Sequence, residues 1–313
     1  MVTKLGMKTL IVFFTDLDPM GYPFNSLRFL EIYERVVNAL LKEGVQTFFA
    51  RGNAYLGNGE FKNLSKFVDG KIVEVEGTVK ADLIYNKNSG DVFVEISDCP
   101  IINQFELEKI CGDKVLTAKT FPEISPITAV LNSYQQFLDQ NFDPEKLVVL
   151  KQNYGWAGEG VFILPAKEVT EDLYANWADI ILQEFLDSSV GIPGVTDSYH
   201  DLRVCVVDNK PTNALVRIPK EGTLTANISL GGSGLSIALD EVPQEVYILL
   251  DQITQKLDKY SPSIYAADFM NSQEGWKLIE LNARPGLLHE IWTKYYNDFN
   301  QAVIDLIVKT INE

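Results

Sequence analysis

Residues 265–286, YAADFMNSQEGWKLIELNARPG, constrain this chain more than any other stretch. Two apolar runs flank Asn271–Gly275, so Ile264–Met270 and Trp276–Asn282 are expected to form a strand pair. Residues two apart on a strand share a face. Glu280 and Asn282 therefore point one way, and Ile279 and Leu281 the other. Asp268 joins the first group if the register allows. Three oxygen ligands on a rigid ribbon suit Mg²⁺, which takes few protein ligands and completes its octahedron with phosphate and water. The alternative is an acidic, solvent-facing strand side. That is awkward for Asp268, because a carboxylate inside an apolar run is rarely without a partner.

The rest of the chain supplies a frame for that ribbon. Its 313 residues are enough for two or three packed subdomains. Residues 8–14 read as a buried strand rather than the core of a signal peptide, because the apolar run is short and Asp16 and Asp18 follow. A helix is expected from Asn25 to Glu43, closed by Gly44, and a strand over Val45–Ala50. This β-α-β start implies a parallel sheet. Lys71–Glu76, Ala81–Asn86 and Pro100–Asn103 are expected to add short strands, with a domain boundary near Asp113. From Leu147 the strands crowd together (Leu147–Gln152, Gly160–Leu164, Asp179–Leu186), which suggests an antiparallel sheet with helices on one side. Residues 187–198 read as a loop, 202–207 and 212–219 as a hairpin, 244–257 as a helix and 298–311 as an amphipathic terminal helix. No stretch is long enough to span a bilayer.

Charge and cysteine content narrow the function. With 27 basic and 43 acidic residues the net charge is −16, which disfavours nonspecific binding to nucleic acid or to anionic membrane. Cys99, Cys111 and Cys205 have neither zinc spacing nor a disulfide framework, and read as thiols of a reducing, cytoplasmic compartment. Three further motifs carry polar chemistry. In LVVLKQNYGWAGEGVFIL a strand delivers Lys151 into a loop holding Gly155, Gly158 and Gly160. Glycines let backbone N–H groups approach phosphate, and the lysine adds a point charge. Alone, this reads rather as a glycine-rich hairpin with an exposed lysine. In ADIILQEFLDSS a strand ends at Gln183, Glu184, Phe185 and Leu186, where free backbone groups can meet a purine edge. By itself it is an ordinary strand end. In residues 201–234, Arg203 and Arg217 fall on paired strands, and Asn227 precedes the loop Gly231-Gly232-Ser233-Gly234. Such arginines suit carboxylate or phosphate, and surface salt bridging is their alternative.

The order of these pieces resembles the ATP-grasp superfamily over about residues 100–290: Lys114, Lys151 and its glycine loop, Gln183-Glu184, Arg203, Arg217, Asn227, Asp268, then Glu280 and Asn282. RVCVVD, LVRIP and the AN…GG stretch are similar to bacterial glutathione synthetases and ribosomal-protein glutamate ligases. The resemblance implies an α/β chain of the α+β ATP-grasp class. A Rossmann-like, parallel-sheet N-terminal domain (1–113) would precede two α+β subdomains, a lid (114–186) and a C-terminal subdomain carrying the metal site (187–313), which clasp ATP. It further implies that Lys114 and Lys151 contact the ATP phosphates under the glycine loop, and that Gln183, Glu184, Phe185 and Leu186 hold adenine. Asp268, Glu280 and Asn282 would bind two Mg²⁺, with Mn²⁺ as a substitute. Arg203, Arg217 and Asn227 would face the transferred phosphate and the acyl substrate. The implied activity is ATP-dependent ligation of a small-molecule or peptide carboxylate to an amine through an acyl phosphate, by a homodimer or homotetramer. A small-molecule kinase and a non-catalytic ATP-binding protein are the alternatives. Thr225 stands where those ligases usually carry arginine, Ser229-Leu230 where the glutamate ligases are basic, and Ala283-Arg284-Pro285-Gly286 follows Asn282. The acyl pocket therefore departs from theirs. Residues 187–200, with His200 near Asp201 and Arg203, read either as a substrate lid or as an ordinary surface loop.

Overall fold

The computed structural model describes residues 6–18, 20–87, 94–155, 160–175, 179–226 and 231–313. Strands β1 (Lys8–Phe14) and β2 (Val45–Arg51) are joined by helix α1 (Leu27–Lys42), and all three lie within two residues of the expected bounds. Strands β1 and β2 pair in parallel, as do β1 and β6 (Leu83–Asn86), and β6 and β7 (Ile101–Ile102). Helix α1 buries Ile32, Tyr33, Val36 and Leu40, a stripe at helical spacing, against Leu10, Val12 and Phe14. Gly44 takes φ +80°, the left-handed closure expected of it.

The parallel sheet expected of this start is present, and three antiparallel strands extend it. They are β3 (Tyr55–Gly57), β4 (Glu60–Val68) and β5 (Lys71–Lys80). Strand β4 escaped the sequence reading for a physical reason. Its pairing with β5 is interrupted between Lys62 and Leu64, where Asn63 takes φ +52°. Its two buried residues, Phe61 and Leu64, are therefore three apart, and the period of two is lost.

The second sheet has four antiparallel strands in the order β10 (Val161–Pro165), β9 (Leu147–Gln152), β11 (Ile180–Glu184), β8 (Thr128–Val130). Val148, Leu150, Ile180 and Leu182 form a core on one face with Phe137 of the short helix α4 (Tyr134–Leu138) and with Val169, which precedes the short helix α5 (Glu171–Ala175). Lys151 points to the other face. Two helices precede this sheet, α2 (Phe105–Gly112) and α3 (Lys114–Thr120). Asp113 ends the first and caps the second, accepting from the Leu116 N–H at 2.8 Å.

The third sheet is also antiparallel, in the order β14 (Ser233–Ile237), β13 (Lys210–Ile218), β12 (Asp201–Val207), β15 (Ile264–Ser272), β16 (Gly275–Asn282). One face, with Leu202, Val204, Val216, Ala267 and Phe269, packs on α6 (Gln244–Leu257) through Val246, Leu250, Ile253 and Leu257. The opposite face divides along its length. Cys205, Val207, Ile264 and Ala266 are covered by Phe299, Val303 and Ile307 of α7 (Tyr296–Asn312) and share a core with β1 and α1. Beyond that cover, the same face carries Asp201, Arg203 and Asp268. The polar cluster begins where the apolar lid of α7 and the N-terminal sheet stops. Among the described residues no helix is long and apolar enough to cross a membrane.

Candidate active site

A cleft of about 940 Å³ separates the second and third sheets. From β9 come Val149 and Lys151, two apart and on one face, while Val148 and Leu150 are in the core behind. Strand β10 adds Val161 and Ile163 by the same alternation, and β11 adds Gln183, with Glu184, Phe185 and Leu186 continuing the wall. Gln183 is buried and donates from Nε2 to Thr128 Oγ1 at 2.9 Å. Apolar walls with a few convergent polar groups are the usual lining of a small-ligand site.

Two lysines project into this cleft. Lys114, the first residue of α3, donates to the carbonyls of Asn153 (3.1 Å) and Gly155 (2.6 Å). Asn153 Oδ1 accepts from Val115 N–H at 3.0 Å, and the Tyr154 hydroxyl donates to Asp113 Oδ2 at 2.8 Å. The start of the glycine loop is thereby fastened to the start of α3. Sequence reading saw Lys114 and the loop as separate phosphate contacts and missed that one anchors the other. Lys151 is buried, and its ammonium makes no hydrogen bond among the described residues. Burial, and then the charge of Lys114, hold its ammonium down to about 8 against the pull of Glu280. Gly160 takes φ +67°, and a Cβ there would sit 3.1 Å from Gln152 Oε1, so the return of the loop requires glycine. Gly158 and Asn227, together with Ser229 and Leu230, lie outside the described residues.

The third sheet supplies an ionic row. Register places Asp201 opposite Arg217, Arg203 opposite Asp268, and Asp268 opposite Glu280. Arg203 grips Asp268 with two bonds, Nε to Oδ1 and Nη2 to Oδ2, both 2.7 Å. Arg217 grips Asp201 in the same forked way at 2.5 and 2.7 Å, and reaches Asp268 Oδ2 at 2.6 Å. Burial pushes Asp268 up, but the two guanidinium groups outweigh it and hold the carboxyl down to about 2. For Asp201, burial, aided by the neighbouring Asp268 charge, wins over Arg217 and the more distant Arg203 and lifts the carboxyl to about 6. Surface salt bridging was the alternative for both arginines; the observed pairs are buried, and their acceptors are the site's own carboxylates. Arg217 lines the cleft, whereas Arg203 does not. Asp201 was read as lying outside the strand, although its spacing of two from Arg203 carried the signal.

The register settles where Asp268 and Glu280 stand, directly across from one another, and it corrects one orientation. The β15–β16 pairing shifts between Asp268 and Phe269, so that Asp268 faces Glu280 while Phe269 faces Leu278. Ile279 is the extra residue, and this bulge turns it into the cleft beside Glu280 rather than to the opposite face. The Glu280 carboxylate makes no hydrogen bond among the described residues. Asn282 accepts at Oδ1 from the Arg284 N–H at 2.7 Å and does not line the cleft.

The donor set can be tested against Mg²⁺. No group of three His, Cys, Asp or Glu side chains gathers to hold a metal among the described residues. Two carboxylates facing across a ribbon, with a carboxamide nearby, still match an ion that takes one or two carboxylates and leaves the rest to phosphate and water. Among the described residues, nothing occupies the Glu280 carboxylate oxygens. A carboxylate offers about four acceptor positions, and the three guanidinium bonds leave Asp268 about one. The residues fit the ion.

Residues 187–200 are folded, with a single 3₁₀ turn at Ser188–Val190 and a bridge between Ile192 and Thr196. His200 is fully buried; its Nδ1 lies 3.1 Å from the Ser198 carbonyl and its ring packs edge-on against Trp276. Burial lowers its pKa, which suits a structural imidazole.

This fold and site define a class. The RimK-like ATP-grasp domain model matches residues 108–307, and the chain belongs to that family. It is 23% identical over 200 residues to the coenzyme gamma-F420-2:alpha-L-glutamate ligase of Methanocaldococcus jannaschii, covering 62% of this chain and 65% of that protein. It is 29% identical over 143 residues to a probable alpha-L-glutamate ligase of Xanthomonas euvesicatoria pv. vesicatoria, 44% of each chain. The chain thus spans less than two thirds of these curated relatives. In structure it is similar to D-alanyl-alanine synthetase A of Vibrio cholerae, with a TM-score of 0.65 at 12% identity over 99% of this chain and 100% of the other, a likeness of fold.

Proposed function

We propose that this chain is an ATP-dependent carboxylate–amine ligase. The observation that carries the reading is the composition of the inter-sheet cleft: two lysines on one wall face a paired Asp268–Glu280 and the Arg217 guanidinium on the other. Cations on one side and a metal-capable carboxylate pair on the other suit a nucleotide triphosphate. The apolar wall at Val149, Val161 and Ile163, continued by Phe185 and Leu186, suits its base. In this reading Gln183, Glu184, Phe185 and Leu186 hold adenine, Lys114 and Lys151 hold phosphate oxygens, and the glycine loop anchored by Lys114 covers them. Asp268, Glu280 and Asn282 would hold Mg²⁺, which when bound neutralises phosphate charge. The proposed division is 1–113, 114–186 and 187–313, with the second part as the lid over ATP.

The chemistry asks little of the protein beyond positioning and charge. A substrate carboxylate oxygen attacks the γ-phosphorus while the bond to the ADP oxygen breaks. The amine nitrogen then attacks the acyl carbon, the bond to the phosphoryl oxygen breaks, phosphate departs, and the nitrogen loses a proton. Arg217, its fork held by Asp201, would neutralise the phosphoryl group. Arg203, tied to Asp268 outside the cleft wall, orients that carboxylate, and in this reading it shares the acyl-substrate side with Asn227. The names of the relatives support an amino acid as one substrate. Three cysteines without disulfides fit a reducing, cytoplasmic compartment.

The test is a phosphate balance with paired amino acids and small peptides, ATP and Mg²⁺. ADP and free phosphate released only when a carboxylate and an amine are both present support the ligase. Phosphate retained on a single substrate would identify a kinase instead.

A further inference from the structure

The segment Asn282-Ala283-Arg284-Pro285-Gly286 leaves β16 at the proposed metal strand, and three residues of the N-terminal unit converge on it. The first is Asn103, which follows β7. It is fully buried and takes φ +65°, a left-handed conformation that asparagine tolerates better than most residues. Its Nδ2 donates to the carbonyls of Ala283 (2.5 Å) and Ile264 (2.9 Å), and its Oδ1 accepts from the Ile264 N–H at 2.7 Å. Its own carbonyl accepts from Asn86 Nδ2 at 3.1 Å, which secures Asn103 to β6. One carboxamide thus ties the first residue of β15 to the residue after Asn282.

The second is Lys87, which follows β6 and is fully buried. Its Nζ donates to the Pro285 carbonyl at 3.0 Å and to the Tyr85 hydroxyl at 3.2 Å. A buried ammonium serving a backbone carbonyl is an expensive device. Burial holds Lys87 down to about 7, with Arg284 adding to the effect and Glu108 opposing it. A neutral side chain packs such a position at lower cost, so the lysine calls for a role that packing does not supply. The third is Tyr22. A Cβ built on Gly286 would lie 2.6 Å from its hydroxyl oxygen, so Gly286 is held flush against it.

These contacts act on one hydrogen bond. Asn282 Oδ1 accepts from the Arg284 N–H, and that N–H lies between the two carbonyls, Ala283 and Pro285, that Asn103 and Lys87 hold. Its direction is therefore fixed from outside the third sheet. An amide oxygen has two lone pairs. With one committed to Arg284 N–H, the other is aimed.

We propose that Asn103, Lys87 and Tyr22 are positioning residues through which the N-terminal sheet aims the Asn282 carboxamide, and so sets the affinity of the ATP site for its divalent cation. The inference rests on the reading of Asn282 as a metal ligand. It gives the N-terminal unit a part in the metal site, although none of its three residues touches the nucleotide cleft.

The test uses the full chain and reads binding of a nonhydrolysable ATP analogue by calorimetry, with and without Mg²⁺, beside the melting temperature. Four variants are compared: Asn282→Ala, Lys87→Met, Gly286→Ala, and Gly286→Ala combined with Tyr22→Phe. Residues that orient a metal ligand change metal affinity by about 10- to 100-fold. Lys87→Met and Gly286→Ala should each raise the Mg²⁺ needed for half-saturation about tenfold, in step with Asn282→Ala. Affinity for the analogue without metal should hold within about twofold, and removing the Tyr22 hydroxyl should rescue Gly286→Ala. If Asn282→Ala shifts the Mg²⁺ dependence and the other two do not, the positioning role is wrong and the ligand reading stands. If Asn282→Ala leaves it unchanged, the ligand reading falls and the inference with it. Equal loss of affinity with and without metal, in parallel with melting temperature, would mark the contacts as merely structural and overturn the proposal.

Discussion

Replacing Arg217 by methionine isolates the energetics of the ionic row, because methionine keeps most of the alkyl volume and removes the fork. Arg217 and Asp201 side chains are each 10% exposed and Asp268 4%, so solvent screens them little. Without Arg217, Asp201 loses both of its hydrogen bonds, while Asp268 keeps the two from Arg203. Breaking a buried pair from one side typically costs roughly 3–5 kcal/mol. The lower end applies here, since Asp201 already sits near 6 and can escape part of the penalty by taking up a proton. The expected loss is about 3 kcal/mol in urea unfolding near neutral pH. Adding Asp201→Asn removes the stranded charge, so the double variant should be more stable than the sum of the two single changes by about 2 kcal/mol. Arg203→Met should cost less, about 1–2 kcal/mol, because its side chain is 24% exposed and Asp268 retains Arg217. A loss below about 1 kcal/mol for Arg217→Met, or strict additivity with Asp201→Asn, would refute this account of the row.

Glu280→Ala should fold with stability within about 0.5 kcal/mol of wild type, because the carboxylate has no hydrogen bond to lose among the described residues, and should abolish ATP turnover. Unchanged turnover would remove Glu280 from the site. Lys151→Ala should weaken binding of a nonhydrolysable ATP analogue; calorimetry giving wild-type affinity would count against the glycine-loop reading. Stability should also report the buried Lys87. Between its folded value of about 7 and the ordinary 10.5, the unfolded chain binds a proton that the folded chain lacks. This group therefore makes the fold more stable as pH rises through that window, by about 1.4 kcal/mol per unit. Lys87→Met should flatten the rise, and a stability difference from wild type that does not vary with pH would defeat the prediction.

Long periodic segments were legible. The bounds of β1, β9, α6 and the strand pair holding Asp268 and Glu280 fell within a residue or two of those expected, since each presents a sustained apolar pattern of one period. Helices α2 and α3 were missed: they are short and meet at Asp113, one residue serving as stop and start. Strand β4 and the orientation of Ile279 failed for a shared reason. In each, an irregular residue shifts the register, and a pattern of two carries no mark of where the shift occurs.

Sequence alone determined the residue types and their order: two lysines, a glycine loop, two arginines and three oxygen donors, with Lys151, Arg203, Arg217, Asp268, Glu280 and Asn282 on strands whose period declared them. Spacing of two put Glu280 and Asn282 on one face before any register was known. Only the tertiary structure decided their partners. Asp201 meets Arg217 through the register of the β12–β13 hairpin, and Arg203 meets Asp268 because β15, distant in sequence, pairs on the other edge of β12. Lys87 and Asn103 reach the end of β16 because α7 and the N-terminal sheet bury the same face of the third sheet. Pattern is a property of neighbours along the chain, which residue identity encodes. Partnership depends on which faces are buried against each other, and that is fixed only when the whole chain has packed.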